Sequence, residues 1–191
     1  MTASKTAFLV TGRPGCGKTT LIRRLVSSLG VRAGGFYTED FRSAGRRQGF
    51  RLVTLDGREA VLAAVDISSP VRVSRYGVDV AALDDVGVPA LEEAVDGADL
   101  VVVDEIGKME MASERFRRAV ERALESGVCL LGSIMLAPHP WADGIKRRPN
   151  VLVVGLTEEN RPQVREELSA LLTACLRERG ALGPSELKGR G

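Results

Sequence analysis

"TAFLVTGRPGCGKTTLIRRLVSSLG", residues Thr6 to Gly30, decides the fold. A short apolar run is followed by a glycine-rich segment and then by an amphipathic pattern. Leu21, Ile22, Leu25, Val26 and Leu29 fall on one helical stripe, and Gly30 supplies a stop. Between strand and helix, Gly12, Arg13, Pro14, Gly15, Cys16, Gly17, Lys18 and Thr19 fit G-x-x-x-x-G-K-[ST] without a gap. The chemistry behind that spacing is specific. Glycines let successive backbone N–H groups turn inward onto phosphate oxygens, and the helix that follows adds its positive end. Lys18 is expected at the β and γ phosphates, Thr19 at Mg²⁺, and Thr20 beside them as part of the same binding turn. Cys16 has two readings, a small residue filling a loop position or a reactive thiol; the first is favoured.

Working outward, "LVVVDEIGKMEM" (Leu100 to Met111) is a buried strand that ends on two carboxylates. Adjacent acids there are costly unless a cation meets them. Beside a phosphate loop they acquire one. Asp104 is expected to hold the metal, with Thr19, and Glu105 to orient or deprotonate the attacking water. Lys108 and Glu110 have no secure physical account; pairing with each other or with neighbouring loops is one reading.

Charge neutralisation at the γ-phosphate calls for one more cation. The candidates are Arg147 and Arg148 in the irregular "MLAPHPWADGIKRRPN", or Arg117 and Arg118 further upstream. Arg147 and Arg148 are favoured as catalytic, on a lid over about residues 136–150. His139, the sole histidine, is read as a loop or packing residue before a catalytic one.

The remaining elements complete the pattern. "GGFYTEDFR", "GFRLVTL" and "REAVLAAV" read as an antiparallel β excursion over about residues 34–65, with Asp56-Gly57 as a hairpin signal. A helix opens near Pro89. Ser113 is expected to cap another, with Phe116, Val120 and Leu124 on its apolar face and Gly127 at its end. "VCLLGSI" and "VLVVGL" are buried strands, and Thr157 is expected to cap a long last helix. Continuous apolar strands alternating with helices predict an α/β three-layer sandwich of the P-loop NTPase kind. Its central sheet should be mostly parallel and covered on both faces. One domain is expected over residues 1–180, with a loose tail over 181–191.

Bulk properties bound the partners. A formal charge of +2 in 191 residues implies neither a nucleic-acid nor a membrane partner. Cys16, Cys129 and Cys175 show no pair or metal spacing, so reduced thiols in the cytoplasm are expected. A monomer is expected.

Several stretches resemble one family, the small nucleoside-triphosphatases that include thermostable prokaryotic members and the cancer-related nucleoside-triphosphatase. They are "TGRPGCGKTTL", "GFYTEDFR", "GFRLVTLDG", "SRYGVDVAALDDVGVPAL", "VVVDEIGKMEM" and "LTEENR". The resemblance implies Mg²⁺-dependent hydrolysis of ATP, GTP and other nucleoside triphosphates with broad base tolerance. It carries nucleotide binding onto Gly12 through Thr19 and onto Val101, Val102, Val103, Asp104, Glu105, Ile106 and Gly107 at the end of "LVVVDEIG". Asp40, Phe41 and Trp141 depart from the family pattern outside the phosphate site. A P-loop phosphotransferase acting on a nucleotide, nucleoside or RNA end, with hydrolysis as a side reaction, is the alternative.

Overall fold

The computed structural model describes residues 4–183. The expected tail over 181–191 therefore lies mostly outside the described residues. Strand β1 (Ala7–Thr11) runs into the glycine-rich loop and helix α1 (Lys18–Leu29). Then come β2 (Ala33–Ser43), β3 (Arg46–Thr54), β4 (Glu59–Ala64), β5 (Arg72–Val73) and β6 (Tyr76–Val78). Helix α2 (Val80–Ala82) continues through a π-helical turn, Leu83–Gly87, into α3 (Val88–Gly97). Strand β7 (Leu100–Ile106) leads through a short 3₁₀ turn to α4 (Glu114–Ser126). The chain closes with β8 (Cys129–Ile134), α5 (Pro140–Lys146), β9 (Val151–Gly155) and α6 (Arg161–Glu178).

One mixed sheet holds all nine strands in the order β5-β6-β4-β3-β2-β7-β8-β1-β9. Strands β2, β7, β8, β1 and β9 are parallel neighbours, and the rest pair antiparallel. The β excursion is thus an extension of the main sheet through β2, and it reaches Val78 where the sequence pattern suggested about residue 65.

Alternation along β1 explains the two covered faces. Ala7 and Leu9 pack with Val101, Leu91, Phe116 and Val120 on one side. Phe8 and Val10 pack with Val102, Leu25, Val164 and Leu168 on the other. Helix α4 follows its sequence signals closely. The Ser113 hydroxyl accepts the Phe116 N–H at 2.9 Å, and Gly127 ends the helix at φ 70°.

Two expectations are corrected. The last helix begins at Arg161 with Asn160 at its N-cap, and Thr157 lies in the preceding turn, donating its N–H to the Asn160 carboxamide at 2.8 Å. The segment read as irregular contains α5, opened by Pro140, whose ring fits a first-turn position. Among the described residues no helix is long and apolar enough to cross a membrane.

Candidate active site

Parallel strands bring their carboxyl ends to one edge, and the phosphate loop leaves β1 there. Gly15 and Gly17 adopt φ of 82° and 96°, the left-handed region that favours glycine. Gly12 answers a different demand: a Cβ there would lie 2.5 Å from the Leu156 carbonyl oxygen and 2.8 Å from Cys16 Sγ. Cys16 is buried against that glycine, in keeping with a packing residue. Arg13, Pro14, Gly15 and Thr20 form the exposed outer surface of the turn. The Lys18 ammonium folds back and donates to the Gly12 carbonyl at 3.2 Å.

Asp104 and Glu105 end β7 within reach of the field of Lys18. The pairing of β7 with β8 breaks its register between Val103 and Ile106, and the two acids occupy that interruption. Asp104 is 1% exposed. Burial raises its carboxyl above the usual range, opposed by the Ser133 hydroxyl bond, by the nearby Thr19 hydroxyl and by the charges of Lys18 and Arg23. Its Oδ1 accepts from Ser133, while Oδ2 is buried with no partner. An unsatisfied carboxylate oxygen beside the Thr19 hydroxyl is a donor set that suits a hard divalent cation. Among the described residues no cluster of three or more His, Cys, Asp and Glu could hold a metal. A cation on Asp104 and Thr19 would therefore complete its shell with phosphate and water oxygens.

Glu105 is partly exposed and lies within the field of Lys18. Burial raises its carboxyl, Lys18 lowers it, and Asp104 raises it again. Glu110 lies behind it. Its carboxyl is fully buried and pushed up to about 8, first by burial and then by Glu105, while backbone N–H groups of Glu110 and Gly107 hold it down. Both acids crowd Gly107: a Cβ there would lie 3.0 Å from Glu110 Oε2 and 3.3 Å from Glu105 Oε1. The expected pairing of Lys108 with Glu110 does not form, since Lys108 is exposed and Glu110 is 4% exposed.

Other assignments change. Val101, Val102, Val103 and Ile106 are each 0% exposed and fill the two cores, so they hold the strand and do not contact a nucleotide. Arg147 and Arg148 lie at the opposite edge of the sheet from the phosphate loop. Helix α5 carries the chain back to the start of β9, where the Val151 N–H donates to the Arg148 carbonyl and Asn150 meets Thr6 just before β1. Arg148 pairs with Glu121 and Glu125 on α4. Arg118 pairs with Glu114 one turn back. The His139 N–H donates to Asp143 at 3.0 Å, a local turn contact.

Residues with no role assigned from the sequence complete the site. Arg23 sits one helical turn beyond Thr19, on the same face of α1. It stacks 4.7 Å from the Tyr37 ring centroid, pairs with Glu39, and adds positive charge near Asp104. The Tyr37 hydroxyl, beside Asp104 across β2 and β7, is pushed up to about 12 by burial, against the pull of Arg23. Arg161, from the far side of the loop, donates Nε–H to the Cys16 carbonyl at 2.8 Å.

A phosphate loop between β1 and α1, faced by an acid at the end of β7, defines a P-loop protein on an α/β sandwich. The chain belongs to the NTPase family, whose sequence profile matches residues 7–169. It is 45% identical over 165 residues to a nucleoside-triphosphatase THEP1 of Thermotoga sp. strain RQ2, covering 86% of this chain and 94% of that one. It is 39% identical over 168 residues to the human cancer-related nucleoside-triphosphatase, covering 80% of this chain and 88% of that one. The crystal structure of THEP1 from Aquifex aeolicus superposes with a TM-score of 0.80 at 36% identity, covering 87% of this chain and 98% of that one.

Proposed function

We propose that the chain is a nucleoside-triphosphatase, NTP + H₂O → NDP + phosphate, dependent on Mg²⁺ and tolerant of the base, with ATP and GTP among its substrates. One observation carries this reading: Glu105, next to Asp104 near the end of β7, is a partly exposed carboxylate that feels the charge of the phosphate-loop Lys18. The inward N–H groups and Lys18 hold the β and γ phosphates. Thr19 and the free oxygen of Asp104 would hold the metal, which would neutralise charge on the phosphate oxygens. Glu105 takes the proton of water as its oxygen bonds to the γ phosphorus. The bond from that phosphorus to the bridging oxygen breaks, and its electron pair leaves with the NDP. Base tolerance follows from recognition of the triphosphate by backbone groups, which read no base edge. Residues 1–180 act as one catalytic unit, a monomer. The buried free thiols Cys16, Cys129 and Cys175 suit a reducing, cytoplasmic setting.

The test follows γ-labelled ATP with Mg²⁺ and candidate hydroxyl acceptors. Label released as free phosphate, at a rate the acceptors do not change, supports the hydrolase. Label transferred to an acceptor overturns it in favour of a phosphotransferase.

A further inference from the structure

We propose that Arg161 is a positioning residue of the phosphate loop, holding the peptide unit between Cys16 and Gly17 so that the Gly17 N–H turns into the concavity. The inference rests on the loop being the phosphate site.

A loop that points its N–H groups inward must point carbonyls outward. The Cys16–Gly17 peptide is trans, so its C=O and N–H face opposite ways. Fixing the carbonyl therefore aims the N–H. Arg161 Nε donates to that carbonyl at 2.8 Å in a part-buried position. The guanidinium lies flat against Gly17: Nε, Cζ and Nη2 are 3.2, 3.4 and 3.6 Å from where a Gly17 Cβ would stand. Another loop carbonyl, that of Gly12, accepts from Lys18 at 3.2 Å. Lys18 must leave it to reach phosphate, whereas Arg161 can keep its grip with nucleotide bound.

Arg161 is itself anchored. It is the first residue of the 18-residue α6, followed by Pro162. The Asn160 carboxamide ties the preceding turn to β9, donating to the Gly155 carbonyl at 2.9 Å. The Leu156 N–H binds the Thr11 carbonyl at 2.7 Å, joining that turn to the end of β1. Glu158 is 3.7 Å away and 75% exposed, and Glu159, within the field of the guanidinium, is exposed as well, so both are too weak as partners to fix it.

Two variants isolate the donor. In Arg161→Gln the side-chain amide nitrogen stands as many bonds from Cα as the arginine Nε, so the hydrogen bond can persist without charge. Arg161→Met fills similar space with no donor. Calorimetric titration with ADP should find Arg161→Gln within about threefold of wild type and Arg161→Met about tenfold weaker, the scale of one lost charge-assisted hydrogen bond. In turnover, Arg161→Met should raise KM with kcat nearly unchanged, because the aimed N–H serves ground and transition states alike. Equal weakening in both variants, or none in Arg161→Met, overturns the proposal. Undiminished ADP binding by Lys18→Ala would instead overturn the phosphate-site assignment, and the proposal with it.

Discussion

Ser133, near the end of β8, donates its hydroxyl proton to Oδ1 of Asp104 on the neighbouring strand β7. The two side chains are buried, and the bond leaves Oδ2 as the one acceptor without a partner. Ser133 thus fixes which carboxylate oxygen faces the Thr19 side. Removing the hydroxyl takes away the strongest influence that holds the Asp104 carboxyl down against burial. Ser133→Ala should therefore weaken the metal: the Mg²⁺ concentration for half-maximal activity should rise about tenfold, as for other partners of metal-ligating carboxylates. Titration of Mg²⁺ at saturating ATP measures it. An unchanged midpoint would remove Ser133 from the site.

Glu105→Gln keeps size and loses the proton acceptor. ADP should bind within about threefold of wild type, while kcat should fall by about 10² to 10³, the usual contribution of a positioned base. Steady-state turnover with parallel ADP titration separates the two. A variant that still turns over at the wild-type rate would show that another group takes the proton.

Glu110 supplies a pH dependence of folding. Its carboxyl is raised from 4.5 to about 8 by burial and by Glu105. Between those values the folded chain keeps a proton that the unfolded chain has released. The contribution of Glu110 to stability is therefore fullest below pH 4.5 and is lost as pH rises through about 8. Asp104 and Glu105 are raised too, and push in the same direction. The difference between wild type and Glu110→Gln isolates Glu110. Melting temperatures without metal or nucleotide, compared at pH 5 and pH 8, should drop less in Glu110→Gln than in wild type. Equal drops would mean that Glu110 does not titrate in this range.

What the sequence made legible follows the range of the interactions. The phosphate loop occupies consecutive positions with a strand before and a helix after, so its chemistry could be read without the fold. Asp104 and Glu105 were readable once that loop supplied a reason for acids at a strand end. The roles of Ser133, Arg161 and Glu110 were not, although Arg161 and Glu110 fall in the stretches that carry the family resemblance. Ser133 meets Asp104 through the register of strands 29 residues apart, and Arg161 reaches Cys16 across 145. No local pattern encodes either meeting. Glu110 carries ordinary surface chemistry, and the turn after β7 alone buries it. The family resemblance covers the whole of "LVVVDEIG" and so brings in the valines of β7, although their side chains alternate between two covered faces.

Arg147 and Arg148 were misplaced for a reason that topology states. A segment joining two parallel strands must cross the sheet, so its last residues lie where the next strand begins. That edge is one strand length from the phosphate loop, roughly 16 Å for the five residues of β1. An arginine there has no nucleotide to neutralise. Arg148 instead bridges the end of α5 to Glu121 and Glu125 on α4, and Glu121 also accepts the Trp141 indole N–H at 2.9 Å. Arg147 is exposed. Arg147→Ala should leave both kcat and melting temperature unchanged. Arg148→Ala should leave kcat unchanged and cost about 0.5–1 kcal/mol of stability, the scale of a half-exposed ion pair. Chemical denaturation with parallel turnover assays checks both. A fall in kcat of tenfold or more in either variant, at unchanged ADP affinity, would mean that the α5–β9 connection moves to the loop during turnover and would restore the lid.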